Sequence, residues 1–443
     1  MPFVKRRSVR QCAPILIVAL GASAFAAPTV AAPETPNEVT NWNKVAVEVL
    51  IAFPGPAGGA PPGAQIHMAM TQGAVYDAVN AITQTHEPYL LDETFDQGAS
   101  LNAAATQAAY RVLTNIANSV PGSIAFPNKG TLLARLETEH DASLGAIADS
   151  QAKTDGIAAG NAAADAMIAD RQGDGRFGPS QWDPDTSAGH WWPQARPDGS
   201  LILDPTPWAG TVDPFLMPTS SYFRTDGPQD LESHEWAEDY NEVKSLGRAD
   251  STTRTPDQTH IARFWQSTSV LTWNQVARDI VGSADHDVGV AESARLFAML
   301  NLTAADSIIN CWNDKYYFDF WRPWNAIPRG DEDGNPATEA DTTWTPLIAA
   351  PYPDHPSGHL ALDSAYLNVL QDFFDTDKIA YKAPTTVFPG EVREFDRFSD
   401  ALKEIIDARI WAGLHYRTAD IQSKILGSKV AHYMEKHYFE PLD

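Results

Sequence analysis

Trp312-Asn-Asp-Lys315-Tyr-Tyr-Phe-Asp-Phe-Trp-Arg322-Pro323 closes a long helical pattern, and the rest of the chain is read outward from it. Val290, Ala294, Phe297, Leu300 and Ile308 recur at the spacing of one buried helix face. Lys315 and Arg322 are seven residues apart, so on a continuous helix both project from one side. Pro323 is expected to end that helix or to follow its end. Two further stretches carry the same kind of chemistry: Pro356-Ser-Gly-His359, and Ala408-Arg-Ile-Trp-Ala-Gly-Leu-His415. The chain is strongly acidic, with 57 Asp and Glu against 32 Lys and Arg and a formal net charge of −25. Three cations (Lys315, Arg322, Arg409) and two histidines (His359, His415) gathered in three short stretches therefore need a reason. A tetrahedral oxyanion gives one. Its oxygens call for fixed guanidinium and ammonium donors. They also call for the N–H groups of a helix N-terminus, to which Ser357-Gly358 allows close approach. The histidines then supply an acid–base group and a nucleophile or ligand.

Beyond that stretch the pattern is mostly helical. Residues 41–53 are amphipathic, and the Pro/Gly-rich run 54–63 breaks them. Residues 64–82 place Met68, Val75, Val79 and Ile82 on one stripe. Alanine-rich helices are expected at 101–118 and 152–171, and further helices at 231–247, 256–270, 357–375, 397–412 and 418–437. Residues 172–230 differ. Nine prolines fall between Pro179 and Pro228, with Trp182, Trp191, Trp192 and Trp208 among them. Such a segment reads as a wall or lid, or as a wrap pinned down by its aromatics. No repeat of fixed period is visible, and the fold class is all-α.

Residues 1–26 read as a signal peptide. Lys5, Arg6, Arg7 and Arg10 form a basic start, Ala13 to Ala27 is apolar but too short to span a bilayer, and Ala24-Phe25-Ala26 fits a cleavage site. Arg6-Arg7 leaves twin-arginine export open beside the general route. The protein is thus expected outside the cytoplasm, periplasmic or secreted. The leader removes only positive charge, so the remainder is more acidic still, which argues against nucleic acid and anionic membranes as partners. No later apolar run reaches the roughly 18 residues of a membrane span. Of the two cysteines, Cys12 leaves with the leader and Cys311 reads as a small buried hydrophobe, so no internal disulfide or cysteine metal site is expected. The expected organisation is an N-terminal helical part, 27–230, containing the Pro-rich segment 172–230, and a C-terminal helical part, 231–443, bearing the oxyanion site.

These motifs resemble the signature of the acid phosphatase (type 2 phosphatidic acid phosphatase) and vanadium haloperoxidase superfamily: Lys-x6-Arg-Pro, Pro-Ser-Gly-His, and Ser-Arg-x5-His-x3-Asp. The first two match fully. In the third, Ala408 replaces the Ser, and Asp420 stands five residues after His415 rather than four. Trp312 before Lys315 and Phe-Trp before Arg322 look most like the vanadium chloroperoxidase branch. The motif region covers residues 290–436, about a third of the chain. The resemblance implies two packed helical bundles. It also implies vanadate or phosphate bound by Lys315, Arg322, Ser357, Gly358 and Arg409. His359 is then the acid–base group, and His415 the axial vanadium ligand or phosphorus nucleophile. In the family the acidic residue orients that histidine. Here the extra residue before Asp420 turns its side chain by about 100°. Trp312 and Tyr352 are expected as pocket walls. Tyr352 holds the position that tends to be Phe in chloroperoxidases and His in bromoperoxidases.

Three functions follow. The first is a vanadium-dependent haloperoxidase, oxidising halide with hydrogen peroxide. The second is an exported acid phosphatase that needs no vanadate and takes a small phosphoester through a phosphohistidine. The third is a non-catalytic oxyanion-binding protein, against which the two histidines argue, since binding needs only the cations. Halide preference, the organic acceptor and assembly as a homo-oligomer stay open.

Overall fold

Asn37 opens α1 (Glu38–Leu50), its side chain accepting from the N–H groups of Val39 and Thr40. The same chemistry starts four further helices, because the first N–H groups of a helix have no partner within it. Ser100 caps α3 (Leu101–Ser119), Ser150 caps α5 (Gln151–Asp170), and Ser233 caps α6 (His234–Leu246). Thr255 and Gln258 form a reciprocal capping box on α7 (Pro256–Phe264). Pro61 supplies the first residue of α2 (Pro61–Thr83), where its missing N–H costs nothing. The remaining helices are α4 (Lys129–Ala146), α8 (Ser269–Val281), α9 (Val290–Phe318), the one-turn α10 (Pro323–Ala326), α11 (Gly358–Phe373), α12 (Phe398–Trp411) and α13 (Arg417–His437). This computed structural model describes residues 37–442, apart from Gln181, Pro184, Pro197 and Asp287. The expected leader lies outside the described residues.

The helices pack as two bundles. In the first, α2 lies against α3 and α5, with α1 and α4 on α3. In the second, α9, α11 and α13 pack on one another, with α12 on α11 and α13. The helices α2 and α9 also pack together, so the longest helix of each bundle forms the seam. Nearly every residue of α2 is buried, as a helix enclosed on all sides requires. A hairpin of two four-residue strands, β1 (Tyr381–Pro384) and β2 (Val392–Phe395), pairs Tyr381 with Phe395 between α11 and α12.

Residues 172–230 wrap the bundle with little regular structure, as their prolines require. Their main anchor is polar. Asp306, Asn310 and Asp314 lie one turn apart on α9 and face the segment. The Asp306 carboxylate accepts the N–H groups of Phe215 (2.6 Å), Leu216 (2.8 Å) and Met217 (2.7 Å). Asn310 accepts from the Phe223 N–H at 2.9 Å, and Asp314 from the Thr225 N–H at 2.8 Å. Buried Trp191 and Trp208 add apolar contact. The wrap is thus held by carboxylates that satisfy backbone donors as well as by its aromatics.

Several expectations are corrected. The 256–270 helix is two, α7 and α8, broken at Trp265–Thr268. The helix α4 and the hairpin had no counterpart in the sequence reading. Most consequentially, α9 does not reach Arg322. Asp319 adopts a left-handed conformation (φ 47°) and its N–H closes the helix on the Lys315 carbonyl at 2.9 Å. Arg322 is the extended residue before α10, and Pro323 opens that helix rather than ending α9. The two cations therefore meet through a turn, not along one helix face.

Candidate oxyanion site

Lys315 leaves the last turn of α9 and is fully buried. Its ammonium donates to the carbonyls of Pro353 (2.9 Å), Asp354 (2.9 Å) and Pro356 (2.5 Å), which uses all three of its hydrogens. The Arg322 guanidinium donates to the carbonyls of Tyr352 (2.8 Å), Pro353 (3.3 Å) and Leu414 (2.6 Å). Both cations thus fix the 352–356 loop that leads into α11. The Tyr352 ring lies beneath them, 5.3 Å from Lys315 Nζ and 5.0 Å from Arg322 Cζ, and packs on Trp312 at 4.8 Å.

Ser357 stands before α11 in an extended conformation. Its N–H donates to the Ala419 carbonyl at 3.2 Å, while its Oγ is buried without a partner. Gly358 follows because nothing larger fits: a Cβ there would lie 2.7 Å from Trp312 Cζ3. The indole of Trp312 is held in turn by Asp204, which accepts from its Nε1 at 2.9 Å and from the Tyr316 hydroxyl at 2.7 Å. His359 occupies the first turn of α11, with Nε2 3.2 Å from the Ser267 carbonyl.

Arg409 comes from the last turn of α12. One amino group donates to the Trp265 carbonyl at 3.0 Å, and its buried Nε has no partner. Gly413 (φ 72°) then turns the chain so tightly that a Cβ would meet the Gly247 carbonyl at 2.5 Å. That turn delivers His415 into the same pocket, with Nε2 3.2 Å from Arg322. Its Nδ1 lies 2.9 Å from an oxygen of Asp354. Asp420, in the first turn of α13, is buried elsewhere in the cluster. Burial pushes its carboxyl well above the ordinary range, against the pull of the Ser357 hydroxyl and the Arg409 guanidinium, neither of which reaches hydrogen-bond geometry with it. The structure thus brings Lys315, Arg322, Tyr352, Ser357, Gly358, Arg409 and His415 together, and puts Asp354 where Asp420 was expected.

Burial dominates the electrostatics. It pushes the Lys315 ammonium down to about 7 and lowers both guanidiniums, which remain cationic. His415 is driven well below the ordinary imidazole range by burial, then by Arg322 and Lys315. His359 is driven down by burial, then by Arg409, so it is neutral at pH 7 rather than titrating near the ordinary value. Asp354 rises to about 7, again by burial, against the pull of Arg322 and Lys315. His355 is buried beside the cluster. It stands 3.2 Å from Thr225 Oγ1 and is pushed down to about 3 by burial.

The VCPO second helical-bundle domain matches residues 295–443, the part that carries Lys315, Arg322, Ser357, His359, Arg409 and His415. The vanadium chloroperoxidase of Curvularia inaequalis is 24% identical over 279 residues, 48% of this chain and 45% of that protein. The match thus spans less than half the length of that curated relative. A crystal structure of a bacterial vanadium-dependent iodoperoxidase superposes with a TM-score of 0.73, covering 92% of this chain and 98% of that one at 20% identity. The fold of this chain is the helical-bundle fold of that iodoperoxidase. A holo bacterial vanadium-dependent chloroperoxidase shares the fold at a TM-score of 0.67 and 16% identity, covering 87% of this chain and 93% of that one.

The residues fit a tetrahedral oxyanion. Ser357 Oγ and Arg409 Nε are buried donors without partners, and such atoms need a ligand or water. The N-terminus of α11 adds backbone donors. As the side chains stand, Lys315 contributes charge rather than a free hydrogen. Sequence reasoning missed Asp354, Asp204 and the carbonyls of Trp265 and Ser267. Asp354 sits in Pro353-Asp-His-Pro356, where an Asp reads as an ordinary turn residue.

Proposed function

We propose that this chain is an exported vanadium-dependent haloperoxidase that oxidises halide with hydrogen peroxide. One observation carries the reading. Two guanidiniums, a helix N-terminus, and a neutral imidazole presenting Nε2 converge in a single desolvated pocket. Ser357, Gly358 and Arg409 would hold vanadate, Lys315 and Arg322 would supply fixed positive charge, and His415 Nε2 would be the protein ligand to it. Bound vanadate supplies a Lewis-acidic centre at which peroxide is made electrophilic toward halide.

The chain's own residues do the rest. The cations are positioned before any reaction, so they stabilise developing negative charge without reorganising. The Ser267 carbonyl only accepts, so it keeps the His359 proton on Nε2 and leaves Nδ1 as that ring's proton acceptor. A neutral His359 is in the state needed to take a proton from peroxide. Trp312 and Tyr352 wall the pocket and exclude water, with Tyr352 where halide preference is set in the family. No helix among the described residues is long and apolar enough to cross a membrane.

The same cradle suits phosphate, which shares vanadate's shape and charge. The deciding experiment loads purified protein with vanadate and assays bromide oxidation beside phosphoester hydrolysis. Peroxide-dependent bromination is expected. Hydrolysis by vanadate-free protein, with no halide oxidation after loading, overturns this reading in favour of a phosphomonoesterase.

A further inference from the structure

We propose that Asp354, not Asp420, is the positioning residue of His415: it holds the ring proton on Nδ1 and turns the Nε2 lone pair into the oxyanion pocket. This rests on the proposed role of His415. Two neighbours set the tautomer from opposite sides of the ring. Arg322 lies 3.2 Å from Nε2, and a guanidinium has only donors, so Nε2 must present a lone pair. The remaining proton belongs to Nδ1, which lies 2.9 Å from the Asp354 carboxylate, the nearest acidic oxygen to it, although the angle falls short of hydrogen-bond geometry as the side chains stand. The two side chains are 2% and 1% exposed, so bulk water does not compete for either atom.

Asp354 is itself held at both ends of its backbone. Its carbonyl accepts from Lys315 Nζ at 2.9 Å, and its N–H donates to the Phe320 carbonyl at 2.8 Å. The Lys315–Arg322 motif therefore places the carboxylate as well as the cations. Behind it lies a cavity of about 10 Å³, lined by Asp354, Asp239, Trp236, Phe320 and Tyr416. The Tyr416 hydroxyl is buried there without a partner. The space suits one water, which would serve that hydroxyl and the second oxygen of Asp354. Asp420 faces Ser357 and Arg409 instead. In this chain the orienting carboxylate has moved from α13 to the loop before α11.

The test uses ¹⁵N-histidine-labelled full-length protein, with the His415 ring signals assigned by their loss in His415→Gln. Wild type is expected to show a protonated Nδ1 and a bare Nε2. Binding of vanadate and of phosphate is then measured on wild type, Asp354→Asn and Asp420→Asn. An amide at 354 can donate to Nδ1 and favour the opposite tautomer. Asp354→Asn should therefore lose about 10–100-fold in vanadate affinity, as outer partners of metal ligands typically do. Its phosphate affinity, which needs no bond to Nε2, should not weaken. Asp420→Asn should change both anions by the same factor. A protonated Nε2 in wild type overturns the proposal, and that readout needs no variant to fold. So does Asp354→Asn with wild-type vanadate affinity, or with both anions weakened together. If wild type binds no vanadate at all, the haloperoxidase reading fails, while the tautomer still decides Asp354.

Discussion

Where α5 crosses α3, Gly156 and Gly160 lie so close that a Cβ on them would sit 2.3 Å from the Ser100 carbonyl and 2.5 Å from that of Ala104. The surrounding side chains are Ala103, Ala104, Ala108, Ala159 and Ala163, all fully or almost fully buried. Around the start of α11 the buried side chains are Lys315, Arg322, Arg409, His415, Asp354 and Asp420. Both regions are helical and both are dry. The first gains stability from close backbone approach and dispersion. The second holds charges whose burial is unfavourable unless a ligand compensates them. Strain of that kind persists only where the surrounding structure enforces it, and it gathers at functional sites. Substitutions in the two regions should therefore fail in opposite ways.

The largest effects belong to the pocket's histidines. His415→Ala should abolish turnover of vanadate-loaded protein while leaving its melting temperature unchanged or raised. His359→Ala should cut turnover by about 10²–10⁴-fold with much of the oxyanion affinity retained. Activity near wild type in both would remove the histidines from the chemistry. Next comes Arg409→Met, which keeps bulk and removes charge. Phosphate affinity measured by calorimetry should fall at least about tenfold, the effect of one charge-assisted bond of about 1.5–3 kcal/mol. Thermal stability should hold or improve, and a clear fall in melting temperature would erase the contrast between the regions. Gly160→Val is the mirror image. Overpacking there should cost about 1–3 kcal/mol, read as a lower melting temperature, with phosphate affinity intact at temperatures where the protein is folded.

The smallest effect concerns pH. Lys315 is lowered to about 7 by burial, so it is charged below that value and neutral above it. Oxyanion affinity that depends on its charge is present at lower pH and fades as pH rises through about 7. Sulfate is the right probe, since its own charge is constant over this range. Sulfate affinity should decline from pH 6 to 9 in wild type and lose that slope in Lys315→Arg, which stays protonated. An unchanged slope in the variant would assign the titration to another group.

How much of this was legible in the sequence follows the range of each interaction. Helix periodicity is local, so α1, α2, α3, α5 and α9 fall close to their expected spans. The helix α4 was passed over because only Leu132, Leu136 and Ser143 are buried on it, too few to form an apolar stripe. The end of α9 was misplaced because Asp319, not a glycine, takes the left-handed position. The cations and histidines were legible as motifs, since each motif is short. The partner of His415 was not, because Asp354 reaches it only through the fold.

The most direct test of the central claim, that one buried cradle serves both anions, is vanadate titration at increasing phosphate. The account predicts strict competition: apparent vanadate affinity falls in proportion to phosphate, and Arg322→Ala weakens both anions at least about tenfold. Vanadate binding that is indifferent to phosphate, or an Arg322→Ala variant that binds both as wild type does, would contradict it.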